Sequence, residues 1–143
     1  IGALIVVERE TGLEDIASSG VKVDSLVSAE LLINIFSPNT PLHDGAAILR
    51  GNRVLAAACI LPLSERHLPG RKLGTRHRAA LGLSERTDAV AIVVSEETGT
   101  ISLAYDGQIV RGLTGDELRA RLESLFDQDA MDTVIWNLRG NGR

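Results

Sequence analysis

The chain has 143 residues, 44% of them hydrophobic and 24% charged, with a formal net charge of -4. One core-forming domain fits that length, and a broad basic face for double-stranded nucleic acid is not available in an acidic chain. Aromatic residues amount to two Phe, one Tyr and one Trp, too few for the stacking that single strands need, so no nucleic-acid partner is expected.

In chain order, Ala3 to Val7 is a short β-branched run bounded by charges and Thr11-Gly12, which predicts a buried strand and a turn. Leu13 to Ser18 fits one helical turn before Gly20. From Ser25 or Ser28 to Phe36, apolar residues at Ala29, Leu32, Ile33 and Phe36 follow helical spacing, and Leu31 and Ile35 widen that face. A largely buried helix is expected there, ended by Pro38 and Pro41. Ala46 to Leu49 and Val54 to Leu61 flank Gly51-Asn52, a pair suited to positive φ, which predicts a hairpin. Pro62 to Gly74 reads as a loop, and Thr75 as the N-cap of a helix continuing through Ala79, Ala80, Leu81 and Leu83. Ala89 to Val94, Thr100 to Tyr105 and Gln108 to Val110, joined at Glu96 to Gly99 and Asp106-Gly107, predict a meander. Thr114-Gly115-Asp116-Glu117 is a capping box, with Leu118, Leu122, Leu125 and Phe126 on one face of the helix behind it. Ala130 to Leu138 suggests a further short helix before an end that frays. The sum is a single mixed α/β domain, a largely antiparallel twisted sheet surrounded by helices.

The single Cys, Cys59, lies in an apolar run and reads as core in a reduced compartment. No run approaches the ~20 apolar residues of a spanning helix, so the chain as given is expected to be soluble. It opens without Met directly on an apolar run, as a piece of a longer protein would.

Two polar stretches carry the chemistry. Between Arg66 and Arg78 stand Arg66, His67, Arg71, Lys72, Arg76, His77 and Arg78 with no acidic residue. Arg76 and Arg78 fall in the first turn of the predicted helix, where cations oppose the macrodipole; a bound phosphate accounts for them and for the free N–H groups. A solvated basic loop is the plainer explanation of the charge. The other stretch, Leu42-His43-Asp44-Gly45-Ala46, presents a carboxylate beside residues without bulk, suited to a metal or a hydroxyl, or simply to an Asx-type turn. No P-loop or Gly-x-Gly-x-x-Gly fingerprint is present. Composition and spacing lead to a phosphorylated ligand with a carboxylate nearby.

Three motifs lead further. Asp44-Gly45-Ala46, then Leu73-Gly74-Thr75-Arg76-His77-Arg78-Ala79-Ala80, then Val94-Ser95-Glu96-Glu97-Thr98-Gly99 closely resemble the diadenylate cyclase domain, which makes cyclic di-AMP, in that family's order. Ile1 to Val7 and Ser28 to Pro41 resemble the membrane-anchored bacterial type, and the likeness extends to about Leu118. It implies a catalytic domain over 1–126 with a tail over 127–143, and transmembrane helices ahead of Ile1 that would anchor a cytoplasmic domain. It implies condensation of two ATP with loss of two pyrophosphates, each ribose 3′-hydroxyl attacking the other nucleotide's α-phosphorus. Asp44 would activate the hydroxyl, and Arg76 and Arg78 would hold phosphate oxygens. Gly45, Ala46, Thr75, His77 and Glu96 would also line the nucleotide, while Leu61, Gly74 and Ser95 take adenine and ribose. His43, Asp44 and Glu97 would contact Mg²⁺ or Mn²⁺ riding on the triphosphate. Two domains would meet face to face as a homodimer. The alternatives are a catalytically silent ATP-binding sensor on the same fold and a structural domain docking an acidic partner.

Overall fold

The structure, a computed structural model, describes residues 1–70 and 72–138, with side chains described through Phe126 except at position 71. Its contacts divide the chain into two compact units, 1–112 and 113–143.

Seven strands form one sheet: β1 (Ala3–Val7), β2 (Val21–Leu26), β3 (Ala46–Arg50), β4 (Arg53–Cys59), β5 (Val90–Val94), β6 (Ile101–Tyr105) and β7 (Gln108–Leu113), in the order β2-β4-β3-β1-β5-β6-β7. β1 runs parallel to β3, with Ile5 opposite Ala47, and antiparallel to β5, with Ile5 opposite Ile92. The pairs β2–β4, β3–β4 and β5–β6 are antiparallel. β1, β3 and β5 are central strands, which is why they read as continuous apolar runs instead of alternating ones.

Period-two geometry sorts their side chains to two faces. Leu4, Val6, Ala46, Ile48, Ala91 and Val93 enter one cluster with Ala80, Leu81 and Leu83 of the helix α3 (Thr75–Arg86), against which the short helix α1 (Glu14–Ala17) also packs through Ile16 and Ala17. Ala3, Ala47, Val54 and Ala57 face the other way, onto Ile35 and Phe36 at the end of α2 (Ala29–Ile35).

Gly82 explains how α3 lies so close to the 62–64 loop. A Cβ there would run into the Pro62 carbonyl oxygen and the Ser64 amide. In an open helix Gly→Ala gains about 1 kcal/mol of stability. Here Gly82→Ala should cost roughly 1–3 kcal/mol by overpacking, visible as a lower urea midpoint. A midpoint equal to or above the parent's would show that the loop is not held against the helix.

Several expectations need correction. β2 was not foreseen; its alternation is broken at Asp24, which takes φ +48° at a register shift between Lys22 and Ser25. The hydroxyl of Ser28 caps α2 through the Leu31 N–H, 3.0 Å away, but the helix is half exposed, with Ile33 58% accessible. Two turns on one face of a sheet can bury only one side, through Leu31, Leu32 and Ile35. The N-cap of α3 is Gly74 in extended conformation, not Thr75, and no side chain caps it. Cys59 is buried core, as read.

In the second unit, Thr114 and Glu117 form the reciprocal box, with Thr114 N–H to Glu117 Oε1 at 3.0 Å and Glu117 N–H to Thr114 Oγ1 at 3.1 Å. The helix that follows, α4, runs Gly115–Leu138 without a break, so the separate helix expected from Ala130 is its continuation. The fraying expected over 139–143 lies outside the described residues.

Candidate functional site

A cavity of about 800 Å³ opens where four chain segments converge: Asp44 and Gly45, the β4 end from Ala58 to Leu61, Gly74 to His77 at the start of α3, and Ser95 to Glu97 after β5. That volume suits a nucleotide-sized ligand.

The floor is built by a close approach of backbones. Gly45 has φ +109°, and a Cβ would lie 2.7 Å from the Cys59 carbonyl oxygen and 2.8 Å from the Ala58 carbonyl carbon. Opposite it the β3–β4 ladder slips between Ala46 and Ile48, and Ala58 takes φ +55°. A non-Gly residue in that region costs on the order of 1 kcal/mol, and the cost is spent where it turns Ala58 and Gly45 onto the cavity. Asp44 stands exposed at the rim.

At the opposite wall the amides of the first turn of α3 have no partner within the helix and no cap. The Arg76 guanidinium lies over Gly2, where a Cβ would come within 2.7 Å of its Cζ, and reaches Glu96 Oε2 at 3.5 Å. Gly2 leaves the room that lets Arg76 turn into the cavity. His77 is buried, and burial first, then Arg111 and Arg76, push its pKa down, so it is neutral near pH 7. A neutral imidazole contributes hydrogen bonding without adding a cation to Lys72, Arg76 and Arg111.

Asp44, Gly45, Leu61, Gly74, Thr75, Arg76, His77, Ser95, Glu96 and Glu97 therefore share one cavity. Three expected residues do not line it. Arg78 sends Nε and Nη2 to the Ser64 carbonyl oxygen at 3.2 and 2.9 Å, and its own carbonyl accepts the Ser64 N–H at 2.9 Å. Residues two apart on a helix leave it on nearly opposite sides, and here Arg76 turns to the cavity while Arg78 turns to Ser64. His43 is turned to the loop, with Nδ1 2.7 Å from the Thr40 carbonyl oxygen. Ala46 is fully buried in the core beneath the site. Among the described residues no three His, Cys, Asp or Glu side chains form a metal cluster.

Lys72, Arg111, Ile60 and Leu63 line the cavity without having been singled out for it. Lys72 was visible within the basic run. Gly2 and Arg111, a residue before a strand and one on β7, carry no motif that would have flagged them.

Arg76→Ala should weaken triphosphate binding at least ten-fold, the equivalent of about 1.4 kcal/mol, by calorimetry. Its melting temperature should stay within a degree or two of the parent's. The Arg76–Glu96 contact is half exposed and long, with side-chain accessibilities of 31% and 64%, worth no more than about 1 kcal/mol. A large loss of stability without ligand would make the arginine structural.

The sequence profile of the family described as "DisA bacterial checkpoint controller nucleotide-binding" (DAC) matches residues 1–109. The chain belongs to this family. Among curated relatives, the "Cyclic di-AMP synthase CdaA" of Bacillus subtilis is 52% identical over 142 residues, 98% of this chain and 52% of the relative. A "Diadenylate cyclase" of Listeria monocytogenes is 55% identical over 118 residues, 82% of this chain and 43% of the relative. The chain thus spans about half the length of the curated relatives it matches. A crystal structure of a double mutant of DacA from Staphylococcus aureus superposes with a TM-score of 0.84 at 50% identity, covering 88% of this chain and 84% of that one. A "hypothetical membrane spanning protein" from Bacillus cereus superposes with a TM-score of 0.75 at 48% identity, covering 79% and 55%.

Proposed function

We propose that this domain condenses two ATP into cyclic di-AMP with release of two pyrophosphates. The observation that carries the reading is the placement of Asp44 and Arg76 on one nucleotide-sized cavity that also takes in the uncapped start of α3. The names of the relatives point the same way.

Each half-reaction forms a bond from a ribose 3′-oxygen to an α-phosphorus and breaks the bond from that phosphorus to the bridging oxygen of the pyrophosphate. Asp44 takes the hydroxyl proton as the attack develops. Arg76 and the free amides of residues 75–77 bear the charge on the phosphate oxygens. Positioning and charge neutralisation supply most of the acceleration in such transfers. Arg78 acts one step removed: by clamping Ser64 it fixes the loop that carries Leu61 and Leu63 to the cavity wall.

The donor set fits a divalent ion brought in on the triphosphate, Mg²⁺ or Mn²⁺, touched by Asp44 and Glu97, better than an ion held by the protein alone. Such an ion would neutralise charge on the phosphates. His43, bonded to Thr40, is not retained among its contacts.

One cavity holding one ATP makes half of a two-fold symmetric product, so two domains meet face to face as an isologous dimer. The parent protein is held at the membrane by a segment outside these residues, with this domain on the cytoplasmic side; among the described residues no helix is long and apolar enough to cross a bilayer. Incubation with ATP and Mg²⁺ or Mn²⁺, with the product identified by mass, tests the reading. Binding of ATP without turnover would leave a silent sensor.

A further inference from the structure

The cations between Arg66 and Arg78 do not all serve the nucleotide cavity. Arg66, His67, Lys72 and Arg78 line a second cleft, of about 230 Å³, together with Leu68 and Leu73. Among the described residues no carboxylate lines it. Like charges gathered on one wall raise the energy of the empty site, and an anion relieves it.

Two of the four are held in place chiefly by neutral acceptors. Arg66 donates to the Gly107 carbonyl oxygen at 2.7 Å, and Arg78 to that of Ser64 at 2.9 Å. Carbonyl oxygens fix a guanidinium without cancelling its charge. Among the described residues the one ion-pair partner of this cluster is Glu85, 3.4 Å from Arg66 and already accepting the Ser64 hydroxyl at 2.9 Å. His67 and Lys72 are exposed and make no hydrogen bond or ion pair among the described residues. At about 230 Å³ against about 800 Å³ for the nucleotide cavity, the cleft suits a diphosphate better than a whole nucleotide. Lys72 lines this cleft and the nucleotide cavity alike, which makes the two neighbours.

We infer that the cleft lined by Arg66, His67, Lys72 and Arg78 binds inorganic pyrophosphate, receiving the leaving group as it departs the nucleotide cavity past Lys72. The inference rests on the proposed function for the source of that anion, and on the cleft alone for its binding. A site of this kind separates the pyrophosphate from the newly joined phosphate and opposes the reverse reaction.

The test titrates inorganic pyrophosphate into the whole chain by calorimetry, for the parent and for His67→Glu, with ATP affinity measured in parallel. His67 is exposed and unpartnered, so this exchange leaves folding intact, and it sets a carboxylate among the cations. Pyrophosphate affinity should fall about ten-fold or more, with ATP affinity changed less than about two-fold. Arg66→Gln, checked by its melting temperature, should act in the same direction. Unchanged pyrophosphate affinity in both variants, or no binding at millimolar concentration in the parent, overturns the inference. An equal loss of ATP affinity also overturns it, because the cleft would then hold the tail of ATP itself. The two readings fail separately: cyclic product with pyrophosphate binding insensitive to His67→Glu removes only the cleft, whereas sensitive binding without any product removes only the cyclase.

Discussion

Asp44→Asn should lower turnover of ATP by about 10² to 10⁴ while the protein folds and binds ATP much as before. The size follows from the loss of a positioned proton acceptor, since the amide keeps the shape of the carboxylate but accepts no proton. The retained fold follows from the surroundings of Asp44: it is exposed, and the core begins two residues later at Ala46. Melting temperature and ATP affinity therefore serve as internal controls. Turnover within a few-fold of the parent at saturating metal would remove Asp44 from the chemistry and return it to a turn residue before β3.

The second large effect concerns assembly. Specific activity should rise steeply with protein concentration, because in the proposed mechanism each cavity supplies one ATP and the product needs two. Mixing variants sharpens the test. When an Asp44→Asn chain meets an Arg76→Ala chain, one attack pairs an unactivated hydroxyl with a poorly held phosphate, while the other attack is intact. The linear, singly joined dinucleotide should accumulate and the cyclic product stay scarce. Activity per molecule that is flat over a wide dilution, with a monomer seen throughout by light scattering, would sink the face-to-face arrangement.

Much of this architecture could be read from the residues because local signals and burial agree. The central strands announce themselves as apolar runs, and β1 and β5 lie side by side with Ile5 opposite Ile92. The capping box at Thr114 and the Asp106-Gly107 turn formed where their chemistry required. β2 escaped because an edge strand with Lys22, Asp24 and Ser25 lacks the apolar continuity of its neighbours, and its kink at Asp24 breaks the alternation.

The site was legible as a set of motifs but not as a set of directions. Ten expected residues share the cavity: nine belong to the three motifs, which meet at one end of the central strands and at the start of α3, and Leu61 follows β4. Arg76 and Arg78 look equivalent in the sequence, yet helical geometry sends one to the cavity wall and the other to Ser64. The same geometry was available from the spacing alone. Gly2, by contrast, matters only through the space that it leaves for a guanidinium 74 residues away in the chain (76 minus 2), and no local pattern encodes that.

The central claim is tested most directly by one incubation: the chain at high concentration with ATP and Mg²⁺ or Mn²⁺, the nucleotide products identified by mass and the pyrophosphate counted. The account predicts cyclic di-AMP with two pyrophosphates released for each molecule formed. ATP bound and recovered intact, or hydrolysed to ADP with no dinucleotide, would contradict it.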